Sequence, residues 1–223
     1  MIKTRSIYCS RKQASTHENR ISLFLTTLVV LNDQPANNIG SVNLVSDLFF
    51  AFICVLGIIA GVAPRYCSFS LRGERHGEGV SGHHPDCGSF EGHTVSFGGS
   101  QYCAGCSGLV IGAILSLVGL VTGYYPFDLQ IGFWFGSILV FLGLAQHFID
   151  LGIGWVHLWL NLGFVVGDWL IYASIKAMSL SFTVSIYFLA VSIWWIHARI
   201  RASQWTHVAV CTDCTEYCML RFE

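Results

Sequence analysis

Charge is what this chain has least of. Lysine, arginine, aspartate and glutamate make up 11% of its 223 residues, while 53% are hydrophobic. An average soluble domain carries about a quarter charged residues, so this composition excludes an ordinary soluble domain and points to an integral membrane protein. The few charges also nearly cancel, and a formal net charge of −1 gives no general attraction to nucleic acid. Missing too are a phosphate loop, a dinucleotide fingerprint and a nucleophile set beside a base. The partner expected is the lipid bilayer, with no nucleic acid and no nucleotide, and binding ranks ahead of catalysis.

The apolar residues are gathered into runs that carry little or no charge, at 48–64, 105–127, 129–146, 151–175 and 177–196. Each approaches the roughly 20 residues a helix needs to cross about 30 Å of hydrocarbon. The runs are continuous instead of alternating, which favours helices over barrel strands, because a helix satisfies its own backbone hydrogen bonds in lipid. The expected fold is an all-α membrane protein of about five transmembrane helices. Short turns join the last four, so these pack as antiparallel neighbours. Small residues at Ser107, Gly108, Gly112, Gly119 and Gly123 offer the second helix a face for close backbone approach.

The chain therefore divides into a tail at 1–43, a first transmembrane helix at 44–64, a polar loop at 65–104, a four-helix transmembrane bundle at 105–199 and a cysteine-rich tail at 200–223. Within the first tail a basic stretch precedes the short apolar run 21–31, the order of a signal-like segment or of a poorly ordered extension. Four crossings separate the loop from the C-terminal tail, so both belong on one face. Arg65, Arg72, Arg75, Arg199 and Arg201 lie near that face against Lys176 opposite, which puts it in the cytoplasm; the basic N-terminal tail runs against this.

Seven of the nine cysteines fall on that shared face. The loop reads His83-His84-Pro85-Asp86-Cys87 and then Cys103-Ala104-Gly105-Cys106. Counted from His84 this is H-x2-C-x15-C-x2-C, a zinc-ribbon spacing with a histidine in place of one thiolate. Pairs of donors so spaced let a tight turn aim both at one ion, with His83 able to substitute for His84, and zinc is the metal that such a set suits. The intervening Thr94 to Phe97, Gly98-Gly99 and Gln101-Tyr102 have the pattern of a small hairpin that returns the second pair to the first. In the tail, His207, Cys211, Cys214 and Cys218 form a second donor set. An alternative grouping joins Cys103 and Cys106 to Cys211 and Cys214, stapling loop to tail. A reducing cytoplasm favours metal over disulfides for these thiols. Another thiophilic ion is the alternative to zinc.

Ionisable side chains are costly in lipid. His157, Asn161 and Asp168 recur at intervals of four and seven, which sets them on one stripe of the fourth helix. His147 and Asp150 stand at the end of the third, and His197 ends the fifth. Trp155, Trp159, Trp169, Trp194 and Trp195, with Tyr124 and Tyr125, fit interfacial belts. Cys54 has the pattern of a small apolar residue within a helix.

The run from His83 to Cys87, then Phe90, then Cys103-Ala104-Gly105-Cys106-Ser107-Gly108 opening a glycine-rich helix, resembles the prokaryotic multi-pass membrane proteins filed as domain of unknown function 2085. Ile149-Asp150-Leu151-Gly152 and Asn161 with Gly163 and Gly167 are similar to that family's later positions. Gly105 stands where the family usually has arginine, and the cysteine-rich tail has no counterpart in it. The resemblance implies architecture over about 48–175 and a metal or thiol site, and it supplies no reaction.

The function expected is a zinc-holding membrane protein with a structural or sensing role. The alternatives are a thiol-disulfide oxidoreductase using Cys103 and Cys106 at a helix start, where the helix dipole favours a thiolate, and a transporter passing a metal ion through His157, Asn161 and Asp168.

Overall fold

The computed structural model describes residues 40–63, 80–81, 88–149, 152–179 and 181–213, with the side chains of 40–43, 80–81, 88–89 and 207–213 outside that description. The signal-like segment at 21–31 and the arginines at 65, 72 and 75 lie outside the described residues.

The described residues form five α-helices: α1 (Gly40–Val62), α2 (Ala104–Thr122), α3 (Leu129–Ala145), α4 (Gly154–Ser179) and α5 (Phe182–Asp213). Four of them are long and apolar enough to cross a membrane, whereas α3, at 17 residues, is the short one. At 1.5 Å per residue it covers about 25 Å, a little less than the hydrocarbon thickness. Its start is set by Asp128, whose carboxylate accepts from the Gln130 N–H at 3.0 Å. Its end tightens into a turn in which Phe148 N–H donates to Ala145 O.

Before α2 stands a three-stranded sheet of order β1-β3-β2, made of β1 (Val80–Ser81), β2 (Thr94–Phe97) and β3 (Ser100–Cys103). The expected β2–β3 hairpin is present, with Phe97 opposite Ser100 across a two-residue turn. Gly98 and Gly99 adopt φ 57° and 85°, the left-handed pair that such a turn demands. The parallel strand β1 had no signature in the sequence.

Large apolar side chains such as Leu48, Phe52, Ile59, Ile138 and Phe141 point outward, as a surface in contact with lipid requires. Phe50, Val140, Phe164, Ile171, Phe188 and Trp195 fill the interior around α4, the most enclosed helix. Trp169 and Trp195 belong to this core, not to an interfacial belt, because Gly119 of α2 opens a place for the Trp169 indole and Phe188 packs edge-on to Trp195. Trp155, Trp159 and Trp194 are exposed. Gly108, Gly112 and Gly119 line the α2 face against α4 as their spacing predicts, but Gly123 does a different job: at φ 64° it ends α2 as a left-handed cap. In the turn that follows, the Tyr125 hydroxyl reaches Ser174 and the Leu170 carbonyl, and burial, with Asp128 adding to it against the Ser174 hydrogen bond, pushes its phenol up.

α5 continues to Asp213, well past the expected end near residue 196. No proline or glycine interrupts 197–213, so nothing local stops the helix. One consequence is that Arg199 sits within the bundle, its guanidinium 5.4 Å from the Phe164 ring centroid, instead of flanking a helix end as the orientation count supposed.

α1 and α4 are pinned together at the end remote from the sheet. Lys176 Nζ lies 2.8 and 3.0 Å from the two Asp47 oxygens, Tyr172 donates to Asp47 at 2.7 Å, and Phe50 stacks on the Tyr172 ring at 4.7 Å. A charged pair that also accepts a phenol hydrogen bond is stronger than a bare surface pair. Lys176→Ala is expected to cost about 1–3 kcal/mol of stability, read as a lower unfolding midpoint by circular dichroism in micelles. Asp47→Asn in the Lys176→Ala background should add less than it does alone.

Candidate functional site

The sheet is seated on the paired ends of α2 and α4. Val95, Ala104 and Leu158 form a small apolar cluster between them, and Phe97 packs edge-on to Trp155 at 5.2 Å. Two glycines make this seat. A Cβ on Gly154 would lie 1.9 Å from the Thr94 carbonyl oxygen, and one on Gly92 would strike the Gly152 backbone at 2.7 Å. The short 3-10 helix Gly88–His93 thus rests on the α3–α4 connection, and the start of α4 on β2.

Cys103 is the last residue of β3 and the N-cap position of α2; Cys106 follows one turn later. Cys103 is wholly buried and Cys106 half-buried. Gly105 separates them and leaves room between the Cys103 sulfur and the Asn161 amide: a methyl there would lie 3.9 Å from Cys103 Sγ and 3.6 Å from Asn161 Nδ2. At Gly108 the two helices touch, a Cβ being 2.3 Å from the Leu158 carbonyl oxygen.

Beneath the cysteines lies a closed polar network. Gln146 Nε2 donates to the Gly143 carbonyl at 2.7 Å and to Asn161 Oδ1 at 3.1 Å, while Asn161 Nδ2 donates to the His157 carbonyl and, at 3.4 Å, to Gln146 Oε1. Both amides therefore spend all their hydrogens, and the atom that Gln146 turns to His157 is an acceptor. His157 Nδ1, 3.4 Å away, must carry the proton, which makes Nε2 the basic nitrogen of that ring. The His93 ring stacks on His157 at 4.5 Å and 18°, joining the sheet side to the bundle.

Of the residues the sequence singled out, Cys103, Cys106, His157 and Asn161 converge here. His147 stands in the adjoining turn with its Nε2 buried. Asp168 occupies the same stripe of α4 but a different neighbourhood, since two turns deeper the stripe meets α5 and accepts from Ser192. His197 is exposed on α5 beside Trp194. His207 and Cys211 fall on the backbone of α5, their side chains outside the description; His83, His84, Cys87, Asp150, Cys214 and Cys218 lie outside the described residues. Among the described residues no three His, Cys, Asp or Glu side chains gather closely enough to hold a metal ion. Gln146 and His93 are the two members that sequence reasoning missed. Gln146 closed an apolar run and was treated as its boundary, and no spacing relates His93 to a partner.

Compared with protein-family models, curated proteins and solved structures, the chain matches none.

The burial difference between the two thiols has a direct readout. In the native protein a maleimide should modify Cys106 at least about tenfold faster than Cys103, measured by peptide mapping after timed labelling. Gln146→Ala, which strands hydrogen-bonding groups of Asn161 and His157, is expected to cost about 1–3 kcal/mol and to narrow the rate difference by loosening the seat.

Proposed function

We propose that this protein is a multi-pass membrane protein that holds a thiophilic cation, zinc by the chemistry of its donors, at the sheet-bearing end of the bundle, in a structural or sensing role. The observation that carries the proposal is the strand pairing on both sides of β3. Ser81 pairs with Tyr102, one residue before Cys103, and Thr94 pairs with Cys103 itself. The chain thus leaves one neighbour of β3 shortly before His83 and His84, and returns to the other through the turn beginning at Gly88, one residue after Cys87. Seven residue steps from Ser81 to Gly88 span at most about 25 Å, a chain length that supports a shared site for His84 and Cys87, which lie outside the described residues, and the Cys103/Cys106 turn. A hairpin running into the first turn of a helix, with one thiol at the strand end and one a turn later, is a geometry in which two sulfurs can share an ion.

The described residues supply two of the four donors. The others come from His83, His84 and Cys87, or from the His207, Cys211, Cys214 and Cys218 set. The polar network fits the same role from below, since it fixes the floor on which the Cys103 turn rests. Placement of this face in the cytoplasm, where thiols stay reduced, belongs to the same proposal. So does the resemblance to domain of unknown function 2085, which stands on its quoted residues alone.

A second reading is favoured by one feature: Cys103 and Cys106 stand three residues apart at the start of a helix, one buried and one half-buried. In a thiol-disulfide oxidoreductase this pair would give up two electrons and two protons on closing its disulfide, and a membrane quinone would take both to become a quinol.

Metal analysis of the purified protein separates the two. The expected result is about one zinc per chain, lost on Cys103→Ser together with chelator-sensitive protection of the loop from protease. Metal-free protein with a disulfide that cycles between Cys103 and Cys106 would replace the first reading by the second.

A further inference from the structure

One carboxyl group is used by neither reading. Asp168 lies near the middle of the α4 span, Ser192 near the middle of the α5 span and Cys54 near the middle of the α1 span. All three are buried, at 7%, 1% and 4% exposure. Ser192 Oγ donates to Asp168 Oδ1 at 2.8 Å and also reaches the Phe188 carbonyl at 3.1 Å, while Cys54 of α1 belongs to the same buried cluster as Leu170 of α4 and Phe188 of α5. Among the described residues Asp168 has no cationic partner. Lys176, two turns along α4, is bound to Asp47, and the Tyr172 hydroxyl one turn away is spent on Asp47 and Ser46. Arg199 lies two turns beyond Ser192 along α5 and is engaged with Phe164. Neither α2 nor α3 brings a titratable side chain to this level.

A lone carboxylate at the centre of an apolar bundle in lipid is too costly to be the resting form, so the acid rests neutral. An asparagine would accept the Ser192 hydrogen bond equally well; what a carboxyl adds is the capacity to gain and lose a proton. The hydroxyl of Ser192 suits both states, donating to the anion and either donating to or accepting from the acid. Three helices meet at the group, so a charge appearing there is relieved only by letting water in between them. We propose that Asp168 is a reversible proton-binding site at the centre of the bundle, where α1, α4 and α5 meet.

The site is independent of the metal reading, and its test runs on the unmodified protein. Dicyclohexylcarbodiimide is lipid-soluble and reacts with neutral carboxyls: the carboxyl oxygen bonds to the central carbon, and the acid proton passes to a carbodiimide nitrogen. Full-length protein in phosphatidylcholine vesicles is treated between about pH 5 and about pH 9, and the adduct is mapped by mass spectrometry. The expected result is an adduct on Asp168 that falls by about tenfold per pH unit beyond a midpoint, is absent in Asp168→Asn, and persists in Cys103→Ser. An adduct whose yield does not change with pH marks a permanently neutral structural acid and overturns the proposal. So does an Asp168 that stays unmodified in vesicles while detergent-unfolded protein is modified there.

Discussion

Everything at the sheet-bearing end depends on how closely α2 approaches α4. The absence of a side chain at Gly108 lets the two backbones meet at Leu158, and Gly112 and Gly119 carry the contact down the helix onto Leu162 and Trp169. In lipid there is no hydrophobic drive between helices, so such contact must come from dispersion between closely fitted surfaces. It is this fit that sets the first turn of α2, with both of its thiols, directly over Asn161. Because β3 runs into α2 without an intervening loop, the fit also fixes where the sheet sits.

The polar groups of the bundle are sorted by depth. At one end an ion pair and a phenol join α1 to α4; at the other, two amides and two histidines join the α3–α4 turn, the sheet and α4. Between them, among the described residues, the interior is apolar apart from serine hydroxyls bonded to backbone carbonyls, the Asp168–Ser192 pair and the Arg199 guanidinium over Phe164. Water is not there to satisfy a stranded donor, so each end is held by groups that answer one another. The two ends are different in kind. The ion pair is a clamp, whereas the amide network dictates which nitrogen of His157 holds its proton.

The helices were legible because lipid demands long uncharged runs, and the hairpin because Gly98-Gly99 between alternating residues admits few other conformations. Less was visible wherever a residue's role depends on a neighbour distant in sequence. Gln146 and His93 have no meaning until α3, α4 and the sheet are brought together. β1 consists of two residues and exists only through its pairing with β3. Trp169 and Trp195 have the composition of interfacial residues and lie in the core, because the glycine that makes room for Trp169 is fifty positions away, at Gly119. Cys54 reads as a small apolar residue, and its packing in the core cluster agrees.

The length of α5 carries a mechanical consequence. At 32 residues it is about 48 Å long, well beyond the roughly 30 Å of hydrocarbon that a span must cover. Such a helix is a stiff lever, and any tilt it takes within the bundle is carried along its whole length to Asp213.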